Sequence, residues 1–322
     1  MSDTRVSPWN GLRNSYWLSA WVATAVVLIA TTLFNAGRGG PSLGPLLTTA
    51  LSFSTFTVLV SLGQMLVITS GPGNIDLSIP SVIALSGALS MGAMQSSNGL
   101  IALGILVALA SGMAVGIVNF LLIRLLKIPP IIATMASALI VLSCAIAYGR
   151  GMRTAPPALL ARMLVARIDY VPVFSIFAMA VTLLVWLLLT RTIYGRALCA
   201  IGQNRNAARL AGVKTDFHVL LTYAISDALA GLTGCLIASY SGGNSLDQGN
   251  EYLLLTVAVV VIGGTSVAGG RASLGGIWGG ALFMFLLVAL LNTAGASAGL
   301  RTLLTGVIIV MVAALTERRQ TR

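Results

Sequence analysis

Histidine, lysine and acidic residues are nearly missing from this chain. His218 is its one histidine, Lys127 and Lys214 are its two lysines, and eight of its 322 residues are Asp or Glu. A single histidine cannot build an H-E-x-x-H helix, a histidine cluster or a Ser/His/Asp triad, so zinc hydrolysis and triad hydrolysis of the usual kind are excluded. His218 opens an apolar span and reads as an interfacial residue. Neither lysine follows a G-x-x-x-x-G-K-[ST] loop, so the chain does not hydrolyse ATP by itself. The three cysteines, Cys144, Cys199 and Cys235, are too widely spaced for a C-x-x-C metal site or a disulfide framework and read as small packing residues. With 8% charged and 7% aromatic residues, little material is left for an extramembrane catalytic domain.

Apolar length is what the chain has in excess. Hydrophobic residues make up 57%, glycines number 35 and the mean hydropathy is +0.95. Apolar windows fall at 16–34, 45–69, 77–94, 100–123, 129–149, 171–190, 217–240, 252–269, 273–292 and 299–315. Most are near the length that crosses about 30 Å of hydrocarbon. The pattern predicts an all-α integral membrane protein of about ten segments, with one polytopic domain over 16–315 between tails 1–15 and 316–322. The first window is too long for a signal-peptide core and reads as an uncleaved span. A net charge of +11 would suggest nucleic acid in a soluble protein, but here it is expected of cationic cytoplasmic loops. With the N-terminus in the cytoplasm, thirteen Lys and Arg residues fall inside and six outside, which places both termini in the cytoplasm.

Two stretches break the helical pattern. Thr69-Ser70-Gly71-Pro72-Gly73-Asn74-Ile75-Asp76-Leu77-Ser78 cannot continue a helix, and the segment after it would be only about 24 Å long at 1.5 Å per residue. Ser78 is placed to cap that helix and Pro80 is tolerated in its first turn. Irregular backbone at membrane depth survives when it is buried in protein or lines a wet cavity, so this break is expected beside a transport path, an ordinary cytoplasmic turn being the alternative. The second break runs from Gly263 and Gly264 to Gly269, Gly270 and Arg271. Ionisable residues at membrane depth are costly and need partners, which singles out Asp76 and Asp227. Asp76 is expected to accept amide hydrogen bonds within its break. Asp227 fits a proton or cation site, an arginine pair, or a hydrogen bond to a neighbouring break.

The stretch 191–216 is strongly basic and contains Gly202-Gln203-Asn204-Arg205-Asn206-Ala207-Ala208-Arg209-Leu210-Ala211-Gly212-Val213. Asn204 or Asn206 can cap a short helix that Gly212 ends, with Ala207, Leu210 and Ala211 as a narrow apolar face between Arg205 and Arg209. So short a helix needs a partner surface for its stripe. On pattern alone, a helix lying on membrane lipid with its arginines toward phosphate fits as well.

This stretch resembles the coupling segment, G-x-N-x-x-A-A-R-x-x-G-[IV], of the permease subunits of ribose/xylose/arabinose-type bacterial ABC importers. Gly202, Asn204, Ala207, Ala208, Arg209, Gly212 and Val213 match it. Three further stretches are similar to family motifs in the same order: Asn74 to Ser78, Lys127 to Thr134, and Gly263 to Gly270. The insertion Pro72-Gly73-Asn74, Pro80 and Asp227 depart from the family pattern.

The resemblance implies an inner-membrane permease subunit that pairs with a second permease, identical or homologous, around a path for a monosaccharide or related polyol. A separate ATP-binding subunit, carrying ATP and Mg, would dock on the coupling segment, and a periplasmic sugar-binding protein would deliver the substrate. No cofactor is expected on this chain, and it is not itself an enzyme. Coupling residues are then Gly202, Asn204, Arg205, Ala207, Ala208, Arg209, Leu210, Ala211 and Gly212. Path residues are Gln64, Asn74, Asp76, Ser78, Asn119 and Thr134. Helix-break or gating residues are Gly71, Pro72, Gly73, Gly263, Gly264, Gly269 and Gly270. The competing expectation is a cation-coupled secondary transporter that uses Asp227.

Overall fold

The computed structural model describes residues 16–37, 40–151, 154–297, 299–300, 303–304 and 306–307. Helix α1 is Tyr16–Ala36, α2 Leu43–Thr69, α3 Ile79–Met94, α4 Ile101–Leu126 and α5 Pro130–Gly149. A short helix α6 (Ala158–Val165) and a small hairpin follow, in which β1 (Arg167–Ile168) pairs antiparallel with β2 (Val171–Pro172). Then come α7 (Val173–Arg191), α8 (Ile193–Gln203), α9 (Arg205–Leu210), α10 (Thr215–Tyr240), α11 (Tyr252–Ile262) and α12 (Ile277–Thr293). Among the described residues, seven helices are long and apolar enough to cross a membrane, while α3 and α11 are shorter. The all-α multi-pass architecture expected from hydropathy is therefore present. The tenth window lies mostly outside the described residues, as do the tails 1–15 and 316–322.

Local chemistry sets the helix ends. Lys127 takes a left-handed conformation (φ 54°) after α4, and Pro129 and Pro130 then start α5, because proline cannot extend the preceding helix but fits a first turn. The 252–269 window is helical only to Ile262: Gly263 and Gly264 end α11, and Gly264 has φ +89°. Similarly, α7 begins at Val173 because Val171 and Pro172 belong to the hairpin. The basic stretch 191–216 is mostly helical, not a loop.

Helices α2, α3 and α10 form the interior, while α1, α4, α5 and α7 turn much of their surface outward. Close backbone approach holds the centre together. A Cβ on Gly112 or Gly116 of α4 would run into the carbonyl oxygens of Asp227 and Tyr223 on α10, and one on Gly234 would meet the Ile83 carbonyl of α3. Hydroxyls along α2 bond back to their own helix: Thr48, Thr55 and Thr69 donate to Gly44, Leu51 and Met65 at 2.7 to 3.0 Å. This satisfies polar groups where no water is available. Cys235 is packed as expected, but Cys144 is exposed because α5 is peripheral.

The bundle has two chemically distinct ends. One gathers the end of α2, the α4–α5 turn, α8, α9 and the 263–271 break. At the other, Thr48 donates to the Tyr170 carbonyl at 2.9 Å, Ser96 to the Ala155 carbonyl at 2.7 Å, and the Leu159 amide to Asn98 at 3.0 Å. Gly112→Ala should lower thermal stability in detergent by about 1–3 kcal/mol through overpacking against the α10 backbone. Gly243→Ala, where an added Cβ meets no atom closer than 3.9 Å, should change it by about 0.5 kcal/mol or less. Equal melting temperatures would contradict the close α4–α10 packing.

Candidate functional site

Four local constructions share the bundle, and the first is the α8–α9 segment. Asn204 breaks the helix (φ −159°) and caps α9 by accepting the Ala207 amide at 3.0 Å, while Asn206 is exposed. Gly212 ends α9 with φ +84°, a left-handed value suited to glycine, and the Val213 amide closes back on the Ala208 carbonyl at 3.0 Å. Ala208 points inward, onto Val67, Phe120, Ile201, Val219 and Tyr223. Ala207, Leu210 and Ala211 point away from the bundle, and Leu210 is 91% exposed. Asp216, in the first turn of α10, accepts from Arg124 Nε and from an Arg205 guanidinium nitrogen, both at 2.8 Å. That carboxylate ties α9 to α4 and α10, and its position suits the positive end of the α10 dipole. Burial pushes the Tyr194 hydroxyl up to about 12, so it stays protonated at 2.8 Å from Thr222 Oγ1 and joins α8 to α10.

The second construction is a glycine junction. The Gly270 amide donates to the Thr69 carbonyl at 2.9 Å. A Cβ on Gly202 would meet Thr69 and Gly270, one on Gly269 would meet Gly71, and one on Gly270 would meet Gln203. Gly71, Gly202, Gly269 and Gly270, from three distant stretches, thus touch through bare backbone. Gly73 is different: its φ of +72° is left-handed, but a Cβ added there would meet nothing within 4 Å, and Pro72 beside it is exposed.

The third is a buried polar cluster below that junction. Asp76 Oδ1 accepts from the Ser78 amide at 2.9 Å and from the Ser78 hydroxyl at 2.7 Å. Ser78 stands at the N-cap of α3, but its hydroxyl is spent on Asp76 and makes no capping bond. Asn119 Nδ2 of α4 donates to Ser78 Oγ at 2.8 Å and to Asp227 Oδ2 at 3.0 Å, while its Oδ1 accepts from Ser137 of α5. Thr134 accepts from the Leu77 amide at 3.1 Å. The Asp76 and Asp227 carboxyl groups interact across this bridge. Gln64, Asp76, Ser78, Asn119 and Thr134 are all sealed inside the chain, whereas Asn74 is half-buried and donates to Ser70 at 2.7 Å.

The fourth was not legible as a site from sequence. The irregular segment 241–251 follows α10 and turns back along α3. Gln248 Nε2 donates to Asn244 Oδ1 at 2.9 Å and to the Ile83 carbonyl at 3.3 Å, and a Cβ on Gly249 would meet Pro80. Pro80 lies about 21 Å along α3 from its end at Met94, at 1.5 Å per residue, so the segment reaches nearly the full length of that helix. Asp247, Asn250 and Glu251 are nevertheless exposed. Sequence reasoning also missed Asp216, Ser137 and Tyr223. Asp216 was detectable as the one acid in a basic stretch, and Ser137 as the residue one turn after Thr134. Among the described residues no group of three or more His, Cys, Asp or Glu could hold a metal ion. An apolar groove of about 890 Å³ between α1, α7 and α12, lined by Trp21, Trp186 and Trp278, lies apart from all four constructions.

Residues 46–313 match the family model described as branched-chain amino acid transport system / permease component. The fructose import permease protein FruF of Bifidobacterium longum (strain NCC 2705) is 32% identical, over 90% of this chain and 85% of that protein. The ribose import permease protein RbsC of Bacillus subtilis (strain 168) is 31% identical, over 81% of each. The galactose/methyl galactoside import permease protein MglC of Escherichia coli (strain K12) is 27% identical, over 86% of this chain and 87% of that protein. No solved structure matches.

Asn119→Leu should lower stability by about 3 kcal/mol or more, since each buried partner left unsatisfied costs about 1–3 kcal/mol. Thermal unfolding in detergent reads this directly. An unchanged midpoint would mean that the cluster does not hold the break.

Proposed function

The chain belongs to the branched-chain amino acid transport system / permease component family and is a transmembrane permease of the sugar-importing ABC kind, and from that premise we propose that it imports a monosaccharide or related polyol. In this reading two permease copies, or this chain and a homologue, enclose the path. A separate ATPase that carries ATP and Mg docks on α9, and a periplasmic binding protein supplies the sugar.

The observation that carries the reading is the exposed Ala207/Leu210/Ala211 stripe on a capped helix that Asp216 ties to α10. A leucine that is 91% exposed on a six-residue helix calls for a partner surface. Closure of the ATPase pair displaces α9. The displacement passes through Asp216 to α10 and through Gly202 to both glycine breaks, biasing a two-state bundle. Charge supports the orientation: among the described residues the α9 end carries eight Lys and Arg, the opposite end Arg150, Arg162 and Arg167. The α9 end is therefore assigned to the cytoplasm, and the termini, outside the described residues, to the same side.

The sugar path is assigned to the segment 241–251. Exposed carboxylates and amides on irregular backbone at membrane depth are tolerable only beside water, and Asp247, Asn250 and Glu251 suit hydrogen bonding to sugar hydroxyls. The sealed residues Asp76, Ser78, Asn119 and Thr134 are better suited to holding the α2–α3 break than to touching substrate, and Gln64 is sealed within α2. A cation-coupled carrier built on Asp227 gains no support from a carboxyl group sealed away from any path.

Leu210→Asp should abolish ATPase assembly and uptake while membrane insertion stays normal, because it places a charge on the docking stripe. Wild-type levels of co-purified ATPase in that variant would overturn the coupling assignment. Asp216→Ala should cost about 1 kcal/mol or less in stability, its ion pairs being nearly half exposed, yet lower uptake several-fold. Asp247→Ala and Glu251→Gln should raise the KM for uptake in proteoliposomes without loss of ATPase assembly. Transport driven by an ion gradient in the absence of ATP would sink the importer reading.

A further inference from the structure

We propose that Asp76 and Asp227 bind one proton between them, making a hydrogen-bonded acid–carboxylate pair that fastens the α2–α3 break to α10. Both side chains are fully buried, and Asn119 Nδ2 joins them, donating to Asp227 Oδ2 at 3.0 Å and to the Ser78 hydroxyl at 2.8 Å, which in turn donates to Asp76 Oδ1 at 2.7 Å. The two carboxyl groups interact across this bridge. Three hydrogen bonds reach the pair, from the Ser78 amide, the Ser78 hydroxyl and Asn119, and all three fall on Asp76 Oδ1 and Asp227 Oδ2. Among the described residues, no donor reaches Asp76 Oδ2 or Asp227 Oδ1. Two carboxylates sealed in one cluster repel, and a hydrogen on an oxygen that lacks a donor turns the repulsion into a bond.

No basic group from the surrounding helices can neutralise the pair instead. Helices α2, α3 and α5 contain no charged residue, and Arg124 of α4 is committed to Asp216 at the cytoplasmic end. On α10 itself the other charged or titratable groups in the half facing the cytoplasm are Asp216, His218 and Tyr223, none of them a cation paired with Asp227.

A second observation points to the same place. Tyr223, one turn before Asp227 on the same helical face, is buried, its hydroxyl has no hydrogen-bond partner among the described residues, and it interacts electrostatically with both acids. Gln64 of α2 and Ser226 of α10 are likewise buried with unpartnered polar atoms, and Gly63 packs directly on Ser226. The α2–α10 seam thus offers unused donors and acceptors leading to the pair. In balance, one oxygen carries the hydrogen and donates it to the other carboxylate. The single remaining negative charge is stabilised by the Ser78 amide and hydroxyl and by Asn119. No other species is consumed or released. The shared proton is independent of which solute the protein carries.

Infrared spectroscopy of the whole protein in detergent at neutral pH is the test. The chain has only eight Asp and Glu residues, so a protonated-carboxyl stretch is assignable. Such a band is expected in the wild type, and it should vanish in both Asp227→Asn and Asp76→Asn, where an amide donates in place of the shared proton. Each of these variants should melt within a few degrees of wild type, and Asp227→Leu, which cannot donate, far below it. Absence of the band in wild type, or its survival in both Asn variants, would overturn the proposal. So would a melting temperature raised by sodium chloride relative to choline chloride in wild type but not in Asp227→Asn, which would assign the site to a metal cation. If an Asn variant fails to fold, the wild-type band and its sodium response still decide.

Discussion

Breaking a helix inside a bilayer is permissible only where the protein itself replaces water, and the α2–α3 break meets that condition through α10. Each unsatisfied backbone group in hydrocarbon costs several kcal/mol. Between Ser70 and Ile79 the chain abandons helical hydrogen bonding, and its groups are taken up by Asp76 within the break and by Asn119 and Thr134 of the neighbouring α4 and α5. The position of α10 governs whether this works, because Asp227 completes the cluster. That position is in turn set by Gly112 and Gly116 of α4 and Gly234 of α10, where bare backbones approach too closely for any side chain.

The same helix connects the membrane interior to the basic surface. Asp216 at its start holds Arg205 of the coupling segment, and Asp227 lies eleven residues further on, about 16 Å along the axis. A rigid helix carries a small displacement over that distance without loss, whereas a loop would absorb it. The glycine junction provides a parallel route, since Gly202 touches both Thr69 and Gly270, the residues that lead into the two breaks. In the proposed coupling, a push on α9 would reach both breaks through these close contacts, which is the property a two-state element needs.

Polar residues inside this protein divide by exposure into two roles. Asp76, Ser78, Asn119, Thr134 and Asp227 are sealed, and the hydrogen bonds they make go to one another or to neighbouring backbone. Asp247, Asn250 and Glu251 are exposed at comparable depth, on backbone that α3 supports through Gln248 and Gly249. The first set resembles a core that happens to be polar. The second, exposed set is the one to which the proposed sugar path is assigned.

Hydropathy alone determined that the chain is a membrane protein, and among the described residues it located most of the apolar segments to within a few residues, the 252–269 window excepted, because burial in lipid acts on every residue of a span at once. Proline, glycine and asparagine marked the breaks and the capped helix at Asn204, since backbone restriction is a property of the residue and its immediate neighbours. Which polar groups would meet was beyond those signals. Asp76 was readable as a residue that organises its own break, but its link to Asp227 depends on α3 and α10 packing side by side. Asp216 joins Arg124 and Arg205 only because α4, α9 and α10 converge at one end. The segment 241–251 reads as an ordinary polar connection between two spans, and its descent along α3 was decided by the fit of Gly249 against Pro80 and of Asn244 and Gln248 against Gly87. Periodicity and propensity act over a turn or two of chain, while these partnerships join residues far apart in sequence, and only the packing of the helices brings them within reach.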